Sequence, residues 1–350
     1  MDIRKLIIGI VGLAFVAQGC GKFDRSKIAM PKFTFITSEN VHDIACAANG
    51  RVWICGNYGT VCTSTDGGKT WSKQTTGIDT LLLGSICFPT PTTGWAAGMA
   101  GTIIHTTDAG ATWRPQHSGT DKDLLDLFFL DTTHGWAVGE FGTIIHTTDG
   151  GKTWKAQGEQ QDKIFNDIFF VDNQTGWIVG EFGTILSTRD AGTTWQQVTC
   201  PDLEAMATDS DWEKPLPALY ELFFTDPQHG WIAGMDGVIL LTEDSGTTWR
   251  RIPSGTDKPI YSLVVRGTQG WAVGNKGVYL RSTDGGRSWK EQPEAIKTKF
   301  WLRSIAFCDE RNGYIVGARG TVAQTANGGE SWDIISGFRY DMEEFGLADF

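Results

Sequence analysis

Seven polar side chains recur in one spaced pattern, Ser/Thr-x-Asp-x-Gly-x-Ser/Thr-Trp, and a carboxylate in such a pattern could act as a general acid or base. They are Asp66, Asp108, Asp149, Asp190, Asp244, Asp284 and, in the last copy, Asn327. A short acceptor followed by glycine also folds back onto the amides of its own turn. Because every copy carries it, we interpret this residue as a turn former and expect no catalytic residue among the seven.

The other reactive side chains do not assemble into a familiar site. The six histidines include no His-x-x-x-His pair, and neither a nucleophile elbow nor a phosphate-binding loop occurs in the sequence. Six cysteines follow Cys20, without the spacing of a metal knuckle. We interpret Cys55, Cys62 and Cys87 as small core residues, although an oxidising compartment would allow at least one disulfide. We therefore predict no metal, no cofactor and no enzymatic activity.

One acidic stretch interrupts the pattern. Residues 200–221 read CPDLEAMATDSDWEKPLPALYE and place acids on both sides of Trp212. So many oxygens could bind calcium, but the spacing of a calcium loop is not present. Long irregular loops on a rigid scaffold commonly carry function. We interpret this insertion as a solvated loop or as a partner contact through Trp212.

The elements that carry these residues repeat seven times. Aligning the tryptophans gives units 53–71, 95–113, 136–154, 177–195, 231–249, 271–289 and 314–332, with start-to-start spacings of 42, 41, 41, 54, 40 and 43 residues. A period of about 40 residues is long enough for four short strands with their turns, which is typical of a propeller blade. We predict an all-β protein, a seven-bladed β-propeller of four-stranded antiparallel blades.

The third unit shows how a blade is predicted. Residues 124–131 form the inner strand, 134–139 the second and 143–148 the third, and a stretch ending at Gln157 forms the fourth. Glu140-Phe141 is the predicted hairpin turn between the second and third strands. In such a meander, the turns that hold the repeated acids lie at one end of the ring. The turns between second and third strands, and the connections between blades, lie at the other end.

We expect recognition where the copies differ, which is at this second end. Aromatic and arginine side chains dominate partner contacts, and the turns and connections there are rich in both. Glu140, Glu181 and Asp236 add acids on one arc, and Lys276 adds a cation on the other. The alternative for each ring, including Phe165, is packing between adjacent blades. The predicted partner-binding residues are Tyr58, Phe141, Phe182, Trp212, Phe300, Trp301, Arg303 and Arg319.

The first residues predict export. MDIRKLIIGIVGLAFVAQGC combines basic residues, an apolar stretch and a small-residue cleavage site, so residues 1–19 have the features of a secretory leader. Cys20 stands where a bacterial lipoprotein is cut and lipidated, although Ala17 and Gln18 are unusual there, and plain secretion is the alternative. Gly21 favours the outer membrane. We predict a tether over 20–40 with a possible closing strand at 33–37, the propeller over 41–337 and a tail over 338–350.

The charge limits the partners. The chain has a formal net charge of −11, and removing residues 1–19, with two basic residues and one acid, makes it −12. An acidic protein has no electrostatic reason to bind nucleic acid or an anionic lipid surface broadly. We expect a monomer that faces the periplasm, is held to the membrane by its lipid, and binds a membrane or envelope protein.

The repeat also carries a resemblance. Units such as GWAVGEFGTIIHTTDGGKTW (135–154) and GWAVGNKGVYLRSTDGGRSW (270–289) resemble those of the photosystem II stability/assembly factor family, over about residues 41–336. The resemblance implies a non-enzymatic propeller, often a lipoprotein, that holds membrane-protein subunits during assembly through a face with clustered arginines. This chain departs from the family in its acidity and its regular middle units. Because the repeated acid motif, the Asp-box or BNR repeat, also occurs in sialidases, a sialidase-like glycoside hydrolase or a glycan-binding propeller is the alternative.

Overall fold

The computed structural model of the protein describes residues 36–47, 49–206 and 215–337, so the predicted leader, Cys20, Trp212 and the tail lie outside the described residues. Within those ranges the chain forms seven antiparallel sheets, each of four consecutive strands. This confirms the predicted all-β, seven-bladed propeller. The described α-helix is a single turn, α1 (Pro201–Glu204). Over the same ranges no helix has the length and apolar character needed to span a membrane.

The strand bounds follow the repeat. The first strands, β1, β5, β9, β13, β17, β21 and β25, are Val41–Cys46, Leu83–Cys87, Leu124–Phe129, Phe165–Phe170, Leu219–Phe224, Ile260–Arg266 and Leu302–Phe307. The second strands, β2, β6, β10, β14, β18, β22 and β26, are Val52–Gly56, Gly94–Gly98, Gly135–Gly139, Gly176–Gly180, Gly230–Gly234, Gln269–Gly274 and Gly313–Gly317.

The outer half of each blade is shorter. The third strands, β3, β7, β11, β15, β19, β23 and β27, are Val61–Ser64, Thr102–Thr106, Ile144–Thr147, Ile185–Thr188, Ile239–Thr242, Tyr279–Ser282 and Val322–Thr325. The fourth strands, β4, β8, β12, β16, β20, β24 and β28, are Ser72–Lys73, Arg114–His117, Lys155–Ala156, Gln196–Gln197, Arg250–Ile252, Lys290–Glu291 and Asp333–Ser336. First strands of neighbouring blades contact one another, so they line the central channel.

Aromatic side chains join one blade to the next. Trp136 of β10 stacks on Phe170 of the following blade with ring centroids 3.7 Å apart, and Phe170 meets the edge of Trp195 at 6.0 Å. The same arrangement recurs for Trp53 with Phe88 and Trp113. Such pairs stabilise beyond the burial of their area. The tryptophan repeat therefore records contacts between blades, which explains why it recurs at every junction.

The ring closes without exchange of strands in the described ranges. The first blade consists of β1–β4 and the last of β25–β28. The Cys46–Cys308 disulfide joins the end of β1 to the residue that follows β25, with the two Cα atoms 5.1 Å apart. Of the possible closing strand at 33–37, only Ile36 and Thr37 are described, and the Ile36 amide donates to Ser336 Oγ at 2.8 Å. The seam therefore depends on side chains and a covalent bond.

Candidate partner-binding face

At one end of the ring, the turn between the second and third strands of a blade has an unusual backbone. In blade three the Thr143 amide donates to the Glu140 carbonyl over 3.1 Å, and the two central residues, Phe141 and Gly142, have φ angles of 54° and 67°. Two successive left-handed residues define a type I′ turn, the tight connection that suits twisted strands. The sequence placed this turn one residue too early, at Glu140-Phe141.

The first left-handed position of these turns is never glycine. A side chain in this backbone region costs about 1–2 kcal/mol, and strain of this kind is commonly retained where it serves function. At every turn the strained residue lies at the tip of the hairpin, where a side chain can reach a partner. The seven residues, with φ angles of 53° to 56°, are Tyr58, Ala100, Phe141, Phe182, Asp236, Lys276 and Arg319.

Five large apolar side chains are broadly exposed on these turns, and we call them the apolar crescent. Within the described ranges they are Tyr58, Met99, Phe141, Phe182 and Met235, with exposed fractions of 57%, 41%, 49%, 49% and 38%. One belongs to each of blades one to five. Exposed apolar surface indicates an interaction site, and these five side chains recur at the same turn of successive blades. The sequence predicts the three rings but not the two methionines, whose flexible thioethers also suit adaptable binding surfaces.

Cations occupy the same end of blades six and seven, and we call them the basic arc. Lys276 and Arg319 lie on the two turns, Lys297 and Lys299 lie on the connection between these blades, and Arg303 lies on β25. The whole chain carries −11. A local excess of positive charge on an acidic protein attracts an anionic group of a partner.

Aromatic rings hold two of these cations. The Arg303 guanidinium lies 5.6 Å from the centroid of the Tyr261 ring, and that of Arg319 lies 4.9 Å from that of Phe300. Such contacts favour a cation over an aromatic face. The Phe300 ring thus holds Arg319 at its turn, whereas Arg303 also lines the channel beside Asp43 and Glu221.

The remaining predicted aromatic residues lie in different environments. Phe300 and Trp301 are half-buried, and Trp301 stacks on His42 with ring centroids 5.7 Å apart. Burial lowers the pKa of His42, which hydrogen-bonds Asn57 through Nε2. Phe165 was expected on the rim as one interpretation, but its side chain is fully buried in the core between blades three and four. Packing between blades is therefore correct for Phe165.

A girdle of hydroxyl and carboxyl side chains lines the channel beneath this face. Its members are the third residues of the first strands: Asp43, Ser85, Asp126, Asp167, Glu221, Ser262 and Ser304. A register shift at the second residue of each first strand precedes them, as between Val41 and Asp43. Bulges of this kind redirect side chains. Ser85 donates to Asp126 at 2.7 Å, and Ser304 donates to Asp43 at 2.8 Å across the seam, so the girdle links neighbouring blades.

Three of the girdle carboxyls resist ionisation. Burial raises the pKa of Asp43 to about 6, and burial together with neighbouring acids raises the pKa values of Asp167 and Glu221 well above their ordinary range. The space between these residues is about 40 Å³, enough for a few waters but far below the ~300 Å³ of a small ligand site. Within the described part of the chain, no group of His, Cys, Asp and Glu side chains could hold a metal ion. The girdle is thus a structural link between blades.

The repeated acids lie at the opposite end and hold their own turns. Asp149 Oδ1 accepts from the Thr153 amide at 2.9 Å, and Oδ2 accepts from the Thr153 hydroxyl at 2.8 Å. The Thr147 hydroxyl donates to Asp149 and accepts from the Gly151 amide. These bonds from Thr153 and Thr147 hold the pKa of Asp149 at about 2. Asp149 is thus ionised and uses both of its oxygens to hold its own turn, which is a structural role.

The described start of the insertion is anchored at two points. Cys200 and Leu203 are 4% and 1% exposed, and Asp202 Oδ2 accepts from the Arg251 amide at 2.8 Å. Four of the seven residues 200–206 are exposed, so this segment faces solvent over most of its length. The predicted contact through Trp212 lies outside the described residues.

The family model described as photosynthesis system II assembly factor YCF48 matches residues 27–117, 111–207 and 203–297. These matches cover well over half of the chain. The chain belongs to this family. A search of curated protein sequences finds no match.

Solved structures of the family share the fold. The structure described as YCF48 bound to D1 peptide has a TM-score of 0.68 at 20% identity, covering 84% of this chain and 93% of that one. YCF48 from Cyanidioschyzon merolae has a TM-score of 0.69 at 19% identity, covering 84% of this chain and 97% of that one.

A glycoside hydrolase has a similar fold. A GH74 xyloglucanase from Xanthomonas campestris has a TM-score of 0.67 at 12% identity, covering 88% of this chain but 56% of that one.

Proposed function

We propose that the protein is a non-enzymatic assembly factor of the cell envelope, which holds a segment of a membrane protein on the face formed by the apolar crescent and the basic arc. The observation that carries the proposal is the crescent itself. Five successive blades each expose a large apolar side chain at the same turn, where solvent exposure is unfavourable and a partner would cover them. The family and the D1 peptide bound by one of its members support a membrane-protein client.

The start of the described chain supports the orientation of this face. Asn40, just before β1, accepts from the Asn57 amide at 3.1 Å through its carbonyl and from the Arg319 amide at 2.9 Å through its side chain. Asn57 and Arg319 belong to the turns of the first and last blades on the crescent end. The described chain therefore enters the propeller at the end that carries the crescent, and a lipid on Cys20 would join the propeller through this entry.

The likeness to GH74 enzymes does not favour hydrolysis. Glycoside hydrolases need two carboxyl groups that flank a bound sugar. The channel carboxyls enclose only about 40 Å³, and they are already bonded to neighbouring blades. At the other end, the Asp-box carboxylates are hydrogen-bonded within their own turns, as Asp149 is. Neither of these two sets of carboxyl groups is arranged to hold and cleave a glycoside.

A peptide-binding experiment tests the client. Overlapping synthetic peptides covering the D1 sequence are titrated against the mature protein by fluorescence anisotropy. We expect one or more peptides to bind, and we expect Phe141→Gly with Phe182→Gly to weaken that binding at least tenfold, because truncating an aromatic anchor commonly costs more than about 1.4 kcal/mol. Both residues have left-handed φ angles, so glycine removes the rings without straining the turns.

Ser245→Gly is the matched control. It makes the same change at another left-handed residue, with a φ of 61°, in the Asp-box turn of blade five at the opposite end of the propeller, and binding should stay at the wild-type level. Failure of every D1 peptide to bind, or equal binding by the double variant, would contradict the proposal. Turnover of xyloglucan or fluorogenic sialosides by the purified protein would establish the enzymatic alternative.

Fractionation tests the anchor. We expect the full-length protein in the membrane fraction, released to the soluble exported fraction by Cys20→Ser, because the lipid would attach to that thiol. Membrane association that survives the substitution would show that the anchor is not at Cys20.

A further inference from the structure

A cleft of about 540 Å³ lies between the connection that leaves blade one and the outer half of blade two. Thr75, Thr76 and Ile78 form one wall, and Ile103, Ile104 and Trp113 are among the residues of the other. Its volume falls within the range of roughly 300–1,000 Å³ that is usual for ligand sites. Ile78, at the repeat position that Ile296 has in blade six, packs against the cluster that contains Trp113 and Ile104 but is only partly buried, and the cleft remains beside it.

The chain itself fills the equivalent cleft between blades four and five. By the repeat, Trp249 and Leu240 correspond to Trp113 and Ile104. Leu203 of α1 packs into the cluster that contains Trp249 and Leu240 and is 1% exposed. The Cys200 thiol donates to the Trp249 carbonyl at 3.4 Å. A single turn of chain with one leucine is thus sufficient to fill this type of cleft.

The junction of blades six and seven repeats the arrangement with another branched aliphatic residue. Ile296, on the connection between these blades, is 2% exposed and packs in the cluster that contains Trp332 and Ala323. The Trp332 amide donates to the Ala295 carbonyl at 2.9 Å. Two junctions of one molecule therefore place a leucine or an isoleucine against the Asp-box tryptophan.

We infer that the cleft between blades one and two is a binding site for a leucine or isoleucine side chain of the partner protein, presented by one turn of its chain as α1 presents Leu203. The partner is favoured as the occupant because the cleft continues the crescent. Ala100 and Gly101, which line the cleft, follow Met99 in the same turn, and the Gly59 amide beside Tyr58 donates to Leu81 on the connection that forms the other wall. This inference rests on the proposed function.

One difference between the two clefts refines the chemistry of the occupant. In blade five, the Arg251 amide on the outer strand is capped by Asp202 of α1. The equivalent residue of blade two is Pro115, which pairs with Ile104 as Arg251 pairs with Leu240 and has no amide hydrogen to cap. The occupant therefore needs an apolar side chain in the place of Leu203, but it does not need an acid in the place of Asp202.

A peptide copied from the protein's own insertion tests the site without a client. The probe is residues 198–206 with Cys200→Ser, and the control is the same peptide with Leu203→Ala. NMR of the mature protein follows the indole N–H of Trp113, which a Trp113→Phe variant assigns. We expect a saturable shift of that resonance at millimolar probe and none with the control. Absence of the shift, or an equal shift with both peptides, overturns the inference.

Two variants block or spare the cleft. Thr75→Trp places a ring at its mouth, whereas Thr199→Trp makes the same change at the equivalent exposed position beside the cleft that Leu203 already fills. We expect Thr75→Trp to abolish the shift of the Trp113 resonance and to weaken binding of the D1 peptide about tenfold, with Thr199→Trp at the wild-type level. Probe binding only after residues 338–350 are deleted would assign the cleft to the chain's own tail and overturn the inference.

The two proposals can fail separately. If the crescent variants weaken D1 peptide binding and Thr75→Trp does not, the client face stands and the cleft inference falls. If no D1 peptide binds but the insertion peptide shifts Trp113, the cleft stands as a leucine site and the proposed client falls.

Discussion

At the Asp-box end of the ring, every blade repeats one turn, in which the acid or amide side chain accepts hydrogen bonds from other groups of the same turn. At the crescent end, the same seven blades carry seven different turns. Asp149 at the first end is held ionised, with a pKa of about 2. The residues at the tips of the second end include rings, an acid and cations on a strained backbone. The fold requires the first set in every blade, whereas it leaves the second set free to vary, and that freedom is what recognition uses.

The largest expected effect concerns the contacts between blades, which belong to neither end. Trp136→Ala removes a fully buried ring that stacks on Phe170 at 3.7 Å. Large-to-small changes of this kind cost about 3–5 kcal/mol, so we expect a loss of that size in the free energy of unfolding, measured by denaturant titration. A loss below about 1 kcal/mol would show that neighbouring blades do not depend on this stack.

The channel girdle contrasts with the Asp-boxes in its response to pH. The folded-state pKa of Asp43 is raised to about 6 by burial. The protonated carboxyl therefore makes its full contribution to the free energy of unfolding below about pH 4. That contribution is lost as the pH rises through about 6, and the loss amounts to about 3 kcal/mol. Asp43→Asn should remove this dependence. The measurement is the difference in unfolding free energy between wild type and variant across pH 4–7.

Taking the difference removes contributions from groups that do not interact with Asp43, whereas Glu221, whose pKa the Asp43 carboxyl helps to raise, contributes to it. Burial lowers the pKa values of His42, His105 and His146, so their contribution is lost as the pH falls through about 6.5, opposite in sign to that of Asp43. The low pKa of Asp149 acts below about pH 4, outside the window. A difference that stays constant across the window would contradict the raised pKa of Asp43.

The sequence predicted the parts of the molecule that recur. The tryptophan spacing gave the number of blades, and the glycine pairs gave the turns to within one residue. The girdle could not be found in this way, because its members are serines and acids in no regular order and depend on a bulge that no local pattern marks. Met99 and Met235 were missed for another reason: exposure depends on the positions of neighbouring blades, and methionine is as common in cores as on binding surfaces.

A hydroxyl of the Asp-box gives a smaller effect. Thr147 is 1% exposed, and its Oγ1 accepts from the Gly151 amide at 2.8 Å. Thr147→Val keeps the shape but leaves that buried amide without a partner, which costs about 1–3 kcal/mol. We expect a fall of that size in the free energy of unfolding, with peptide binding at the crescent end unchanged. A variant of full stability would show that the Asp-box turn does not need its hydroxyl.

The smallest expected effect on stability occurs where the expected effect on binding is large. Phe141 has a φ of 54° and a ring that is 49% exposed, so replacing it with glycine relieves about 1–2 kcal/mol of backbone strain. It also loses about 0.5–1 kcal/mol to greater freedom of the unfolded chain and about 1 kcal/mol from the buried half of the ring, which lies 5.5 Å from Lys122 Nζ. We expect Phe141→Gly to unfold at about the same denaturant concentration as wild type. A clear destabilisation would mean that the ring supports its own blade, and the loss of peptide binding in this variant could then no longer be assigned to recognition.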